Sequence, residues 1–61
     1  MEKQELYDDS LVRVYDPANC VVYEGIWDYC QYHNEDWIYN WSTEQYELRS
    51  DYGLYLLEFI D

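Results

Sequence analysis

The sequence is poor in positive charge: three Lys and Arg stand against fourteen Asp and Glu, a formal net charge of -11. Nucleic acid and anionic membranes are thereby disfavoured as direct partners, because both are bound through Lys and Arg. Glycine is scarce as well. Gly25 and Gly53 are the only two, and isolated glycines do not make the loop that cradles a phosphate. Cys20 and Cys30 are too few for the disulfide framework of a small secreted domain, although a single Cys20–Cys30 bridge stays open. No run approaches the roughly 18 apolar residues of a membrane span. Residues 1–10 are charged and lack the apolar stretch of a signal peptide. The expected compartment is a reducing cytosol.

Catalytic groups are equally thin. The one histidine, His33, reads as a packing residue or helix cap rather than a general base. Ser10, Ser42 and Ser50 sit in no nucleophile-elbow context. Cys30 precedes His33 by three residues, a spacing that could lower a thiol pKa, but no third group orients the pair. Cys20, Cys30 and His33 are conceivable soft metal ligands whose spacing matches no zinc ribbon or finger. The acidic pairs Asp8-Asp9 and Glu35-Asp36 lie outside any EF-hand pattern. No enzyme, cofactor or metal site is expected.

What is abundant is aromatic: nine Tyr, three Trp and one Phe in 61 residues, within a hydrophobic fraction of 49 %. That composition excludes a disordered acidic tail, which is poor in such side chains. It predicts one folded domain spanning residues 1–61, with 1–10 frayed or forming a single helical turn. A chain this short buries only about 60 % of its unfolded surface.

Leu11 to Tyr15 and Cys20 to Glu24 are β-branched and aromatic and flank the turn chemistry of Asp16-Pro17-Ala18-Asn19, which predicts a hairpin. Ile26, Tyr29, Cys30 and His33 recur at helical spacing, predicting a short helix over 26–34 with Gly25 as its N-cap. Trp37 to Trp41 alternates like a strand. Ser42 to Gln45 fits a bulge or a capping box, and Tyr46 to Leu48 looks extended. Asp51-Tyr52-Gly53 reads as a hairpin loop, and Leu54 to Ile60, apolar on both faces, suits a central strand. The expected class is α+β: a small antiparallel sheet in the order ββαββ with one short helix packed on it. The expected core is Val12, Val14, Val22, Ile26, Ile38, Leu54, Leu56 and Ile60, with several aromatics. Arg13 and Arg49 are expected to pair with carboxylates inside the molecule.

The acids are spread along the sequence rather than gathered in a tail. Fixed negative groups on a scaffold can imitate a phosphate backbone, but only when they are dense. Over an expected surface of roughly 4,300 Å² the average is about one net charge per 390 Å², against about one per 110 Å² on B-DNA drawn as a cylinder. Imitation therefore requires that the fold, or a dimer, collect the acids on one face. The candidate face is Asp16, Glu24, Asp28, Glu35 and Asp36, extended by Glu44, Glu47 and Asp51. Trp27 or Trp37, each beside an acid, is the expected aromatic anchor.

In size, charge, aromatic content and lack of catalytic residues the whole chain resembles the small phage-encoded inhibitors of nucleic-acid enzymes: anti-CRISPR proteins, anti-restriction proteins and uracil-DNA glycosylase inhibitors. The resemblance implies an acidic inhibitor that acts in the host cytosol. It would occupy a basic nucleic-acid-binding groove, its carboxylates meeting the Lys and Arg that otherwise hold phosphates. The alternative is a structural or oligomerisation module whose aromatic face pairs with itself, as a homodimer, or with a neighbour.

Overall fold

The alternation of Leu11 to Tyr15 becomes β1 (Leu11–Tyr15) of the protein, seen in a computed structural model that describes residues 3–60. Asp16 ends the strand as expected. Its Oδ1 accepts the Cys20 N–H at 2.8 Å, and Asn19 takes a φ of 68°, which an Asn tolerates best. The chain returns as β2 (Val21–Ile26). β3 (Ile38–Asn40), β4 (Gln45–Ser50) and β5 (Gly53–Phe59) complete one antiparallel sheet in the order β2-β1-β5-β4-β3. β5 is the middle strand, as its two apolar faces predicted.

Register then decides which side chains meet. Tyr23, Val14, Leu57, Tyr46 and Tyr39 pair in succession, one residue from each strand, so all five point to the same face. That face is the core. Val12, Val14, Trp27, Cys30, Tyr46 and Leu57 are buried there, with Leu6, Tyr32, Trp37, Tyr55 and Phe59 packed around them. Residues 27–37 run from the end of β2 at one edge to the start of β3 at the other and form the lid over this face. The 3–10 segment joins them: the Tyr46 hydroxyl donates to the Gln4 carbonyl at 2.9 Å.

The helix predicted over 26–34 does not form. Ile26 instead finishes β2, paired with Leu11, and only Trp27–Tyr29 makes a 3-10 turn, with no side-chain cap. A two-turn helix in isolation is unstable because nucleation costs more than its few hydrogen bonds return. Ile, Trp, Tyr and Asn do not raise its propensity. The i, i+3, i+4, i+7 pattern also misplaces burial: Cys30 is buried as that pattern has it, but Ile26 and Tyr29 are exposed and Trp27, outside the pattern, points inward. The class is an antiparallel β fold with an irregular cover, and the α+β expectation is corrected.

The core list needs the same correction. Val12 and Val14 are fully buried, but Val22, Ile26, Ile38 and Leu54 are exposed, and Leu56 and Ile60 half-buried. A register shift between Val14 and Tyr15 leaves Val22 without a partner in β1. Tyr and Trp fill the space that the aliphatics were expected to fill.

Candidate partner-binding surface

Almost all of the acid lies on the connections. Among the described residues the strands hold only three carboxylates, Glu24, Glu47 and Glu58, together with Arg13 and Arg49. Arg13 sits between two of them, donating to Glu24 at 2.8 Å and Glu58 at 3.0 Å, while the Tyr15 hydroxyl also donates to Glu58. The bond to Glu24, and after it the Tyr15 hydroxyl, push the Arg13 guanidinium above its ordinary pKa. The expected internal partnership of Arg13 is thus present, whereas Arg49 is exposed and pairs with no described carboxylate. Glu47 accepts from the Asn40 amide at 3.2 Å and the Thr43 hydroxyl at 3.4 Å.

The eight carboxylates of the expected face are not brought onto one face. Asp16 and Asp51 lie in the two turns at one end of the sheet, which touch: a Cβ on Gly53 would come within 3.0 Å of Pro17 Cβ. Glu24 and Glu47 stand on the sheet face opposite the core. Glu35 and Asp36 are exposed on the connection that covers the core. Glu44 is in the turn after β3, at a φ of 58°, at the far edge of the other end. The cause is topological. Turns and covers are where a small sheet tolerates charge, and here they point in several directions.

Of the eight, Asp28 is the one that lines a depression with other carboxylates, Asp8 and Asp9, which were not among the expected site residues. The Trp27 N–H donates to the Ser10 carbonyl and the Asp28 N–H to the Asp8 carbonyl, at 2.8 and 2.9 Å. These two bonds lay residues 8–10 beside the 3-10 turn. The result is an open depression of about 260 Å³ lined by Asp8, Asp9, Ile26, Asp28 and Tyr29. Tyr29 is 76 % exposed, and Tyr7, from the same segment, 63 %. The adjacent pair Asp8-Asp9 was the sequence's one signal for this patch. Its contact with Asp28, twenty residues on in round terms, runs through backbone bonds that no spacing rule reveals.

His33 closes the back of the patch. Its Nε2 lies 3.0 Å from Asp8 Oδ1 and 3.9 Å from Asp28 Oδ1, and its Nδ1 lies 3.2 Å from Asn34 Oδ1. Both ring nitrogens face oxygen, an arrangement that the doubly protonated ring satisfies. The Asp8 hydrogen bond, then the Asn34 one, raise the His33 pKa above 6.5, and burial opposes them. A raised folded value means that this contribution to stability is complete below about pH 6.5 and is lost as pH rises through the folded value. A proton NMR titration of the His33 ring should therefore give a midpoint above 6.5 in the native protein, and Asp8→Asn should lower it. An unchanged midpoint in that variant would mean that the ion pair does not form.

Asp8, Asp28 and His33 also present one ligand atom each within 4.8 Å of one another, the only described group of three that could reach a common metal ion. The soft set considered from the sequence is not assembled. Cys20 and Cys30 are free thiols, one exposed in the first turn and one buried in the core, and burial pushes the Cys30 thiol above its ordinary pKa.

The aromatic anchors are redistributed. Trp27 is 4 % exposed and belongs to the core, edge-on to Trp37 at 5.7 Å, so it is not the expected interface residue. Trp37 is half-buried, its indole N–H donating to the Tyr32 carbonyl at 2.9 Å. The exposed tryptophan is Trp41. Against this geometry, comparison with known proteins adds no relative: no protein-family model matches the chain, no curated protein matches it, and no solved structure matches it. No helix among the described residues is long and apolar enough to cross a membrane.

Proposed function

We propose that this chain is a non-catalytic binding protein that inserts its acidic, aromatic end into the basic groove of a nucleic-acid-binding enzyme and excludes nucleic acid from it. The observation that carries the reading is the grouping of Asp8, Asp9 and Asp28 around a depression walled by Ile26 and the exposed Tyr29. Charges at the rim steer association and an aromatic at the centre supplies contact area. Imitation of DNA by the whole surface is not part of this reading. With 4502 Å² of accessible surface for a net charge of -11, the average density is several-fold below that of a duplex. A local patch avoids that deficit. The free thiols suit a reducing cytosol, the host's if the chain is phage-encoded.

Pairing through an aromatic face has less support, because the exposed aromatics are separated: Tyr7 and Tyr29 beside the β2 edge, Trp41 at the β3 edge of the same end, and Tyr52 at the other end.

The test is a displacement assay against a panel of nucleases, restriction enzymes and CRISPR effectors, each preloaded with labelled DNA or RNA. Displacement from at least one should be strong at about 0.05 M salt and weaken by about tenfold or more near 0.5 M, where the Debye length has shrunk from about 14 to about 4 Å. Asp8→Asn with Asp9→Asn should weaken it further. Failure to displace nucleic acid from any member, or displacement indifferent to salt, would overturn the reading.

A further inference from the structure

The sheet has one covered face and one bare face. Opposite the core, Val21, Tyr15, Leu56, Glu47 and Ile38 pair in succession across all five strands. Leu6 of the lead-in and Trp27, Cys30, Tyr32 and Trp37 of the cover pack on the core side instead, where the Tyr46 hydroxyl also holds Gln4, and Asp8 and Asp9 come only to the rim of the bare face at Ile26. An antiparallel sheet that faces water alternates apolar-in with polar-out. Here much of the outward set is aliphatic: Ile38 is 70 % exposed and Val21 51 %, with Leu54 and Leu11 close behind.

We infer that this face is covered by a second copy of the same chain, giving a two-fold dimer of sheets packed bare face to bare face. Three observations favour this occupant over a basic partner. The first is charge. Arg13 and Arg49 stand among Glu24, Glu47 and Glu58, which leaves the face one net negative charge, while every other described carboxylate lies on a connection. A strongly basic partner finds its match elsewhere on the molecule.

The second is self-complementarity. A two-fold interface brings one patch against itself, so it must contain both members of each favourable pair. The row Glu24–Arg13–Glu58, closed by ion pairs of 2.8 and 3.0 Å, supplies both charges with aliphatic side chains on either side. The third is area. The molecule measures 27 × 26 × 18 Å, so a face across its two longer axes projects to at most roughly 700 Å², inside the range of about 600–1,000 Å² per partner of a stable interface. In such a dimer Asp8, Asp9 and Asp28 of each copy lie at the border of the interface, next to Ile26.

Sedimentation velocity over a wide concentration range tests this directly. The 7.6 kDa chain should sediment as a dimer that dissociates on dilution. The salt response should be opposite to that of a basic partner: two copies with net charge -11 repel, so raising salt from about 0.05 M to about 0.5 M screens that repulsion and tightens the dimer. Ile38→Glu combined with Leu54→Glu places like charges against each other and should weaken self-association by about 100-fold or more. The variant should keep its near-ultraviolet circular dichroism, because both side chains are already exposed. If that signal is lost, Ile38→Ser with Leu54→Ser replaces it and should weaken the dimer in the same direction. A wild-type monomer at every concentration and salt overturns the inference, and so does a dimer that a folded Ile38 and Leu54 variant leaves intact. The displacement assay is read through Asp8 and Asp9, at the other end of the strands from Ile38 and Leu54, so the two tests fail separately.

Discussion

Trp27→Ala is expected to unfold the domain at ordinary temperature. The indole is buried among Val12, Val14, Cys30, Tyr46 and Leu57, stands edge-on to Trp37, and lies 5.3 Å from the His33 ring. Truncating a buried Trp costs about 3–5 kcal/mol in lost burial and residual cavity. A core of this size rarely supplies more than about 3–5 kcal/mol in total. The two magnitudes are equal, so the variant should show no cooperative thermal transition. Trp41→Ala, at a residue 62 % exposed, should shift the midpoint little. Urea unfolding of both, followed by circular dichroism, makes the comparison. A Trp27 variant as stable as the wild type would place that ring on the surface and revive its role as an interface anchor.

Gly53→Val carries the second large effect. Gly53 pairs with Ser50 to close the β4–β5 turn and holds a φ of +125°, a region that side-chain-bearing residues rarely enter. Backbone strain of that kind costs about 1–3 kcal/mol. The added Cβ would also stand 3.0 Å from Pro17 Cβ, so the first turn would have to move, and overpacking costs about 1–3 kcal/mol again. Thermal unfolding should show a midpoint lower by roughly 10 °C or more, since 1 kcal/mol shifts a domain of this size by about 4–8 °C. Tyr52→Ala, next to it and 88 % exposed, should be nearly silent. Equal midpoints for the Gly53 variant and the native chain would mean that the two turns do not touch.

The strands were legible because each carries its own signal. Leu11 to Tyr15 alternates, Asp16-Pro17-Ala18-Asn19 supplies turn chemistry, and Leu54 to Ile60 is apolar at successive positions, as a middle strand requires. What the sequence could not supply was the side of the sheet. Side chains alternate with a period of two, so a one-residue difference in register exchanges the faces. In β5 both Leu56 and Leu57 fit a core by composition, and only pairing with Val14 and Tyr46 makes Leu57 the buried one. Aliphatic residues were favoured for the interior, and the aromatics took it instead: Tyr23, Tyr39, Tyr46 and Tyr55 fill the space of a one-layer core with larger rings.

The acidic site was readable only in part for a related reason. Asp28 was singled out, but it meets Asp8 through hydrogen bonds between segments that composition had marked as a lead-in and a helix. The segment 27–37 is a cover that brings both Trp27 and Trp37 to the core.

Backbone amide shift mapping with an oligo-arginine peptide tests the central claim most directly, because it asks which carboxylates act together. The shifts should concentrate on residues 7–10 and 26–29, around Asp8, Asp9, Asp28 and Tyr29, and shrink as salt is added. Shifts of equal size at Asp16, Glu35, Asp36, Glu44 and Asp51 would show the charge acting as a diffuse surface, and would contradict a defined acidic site.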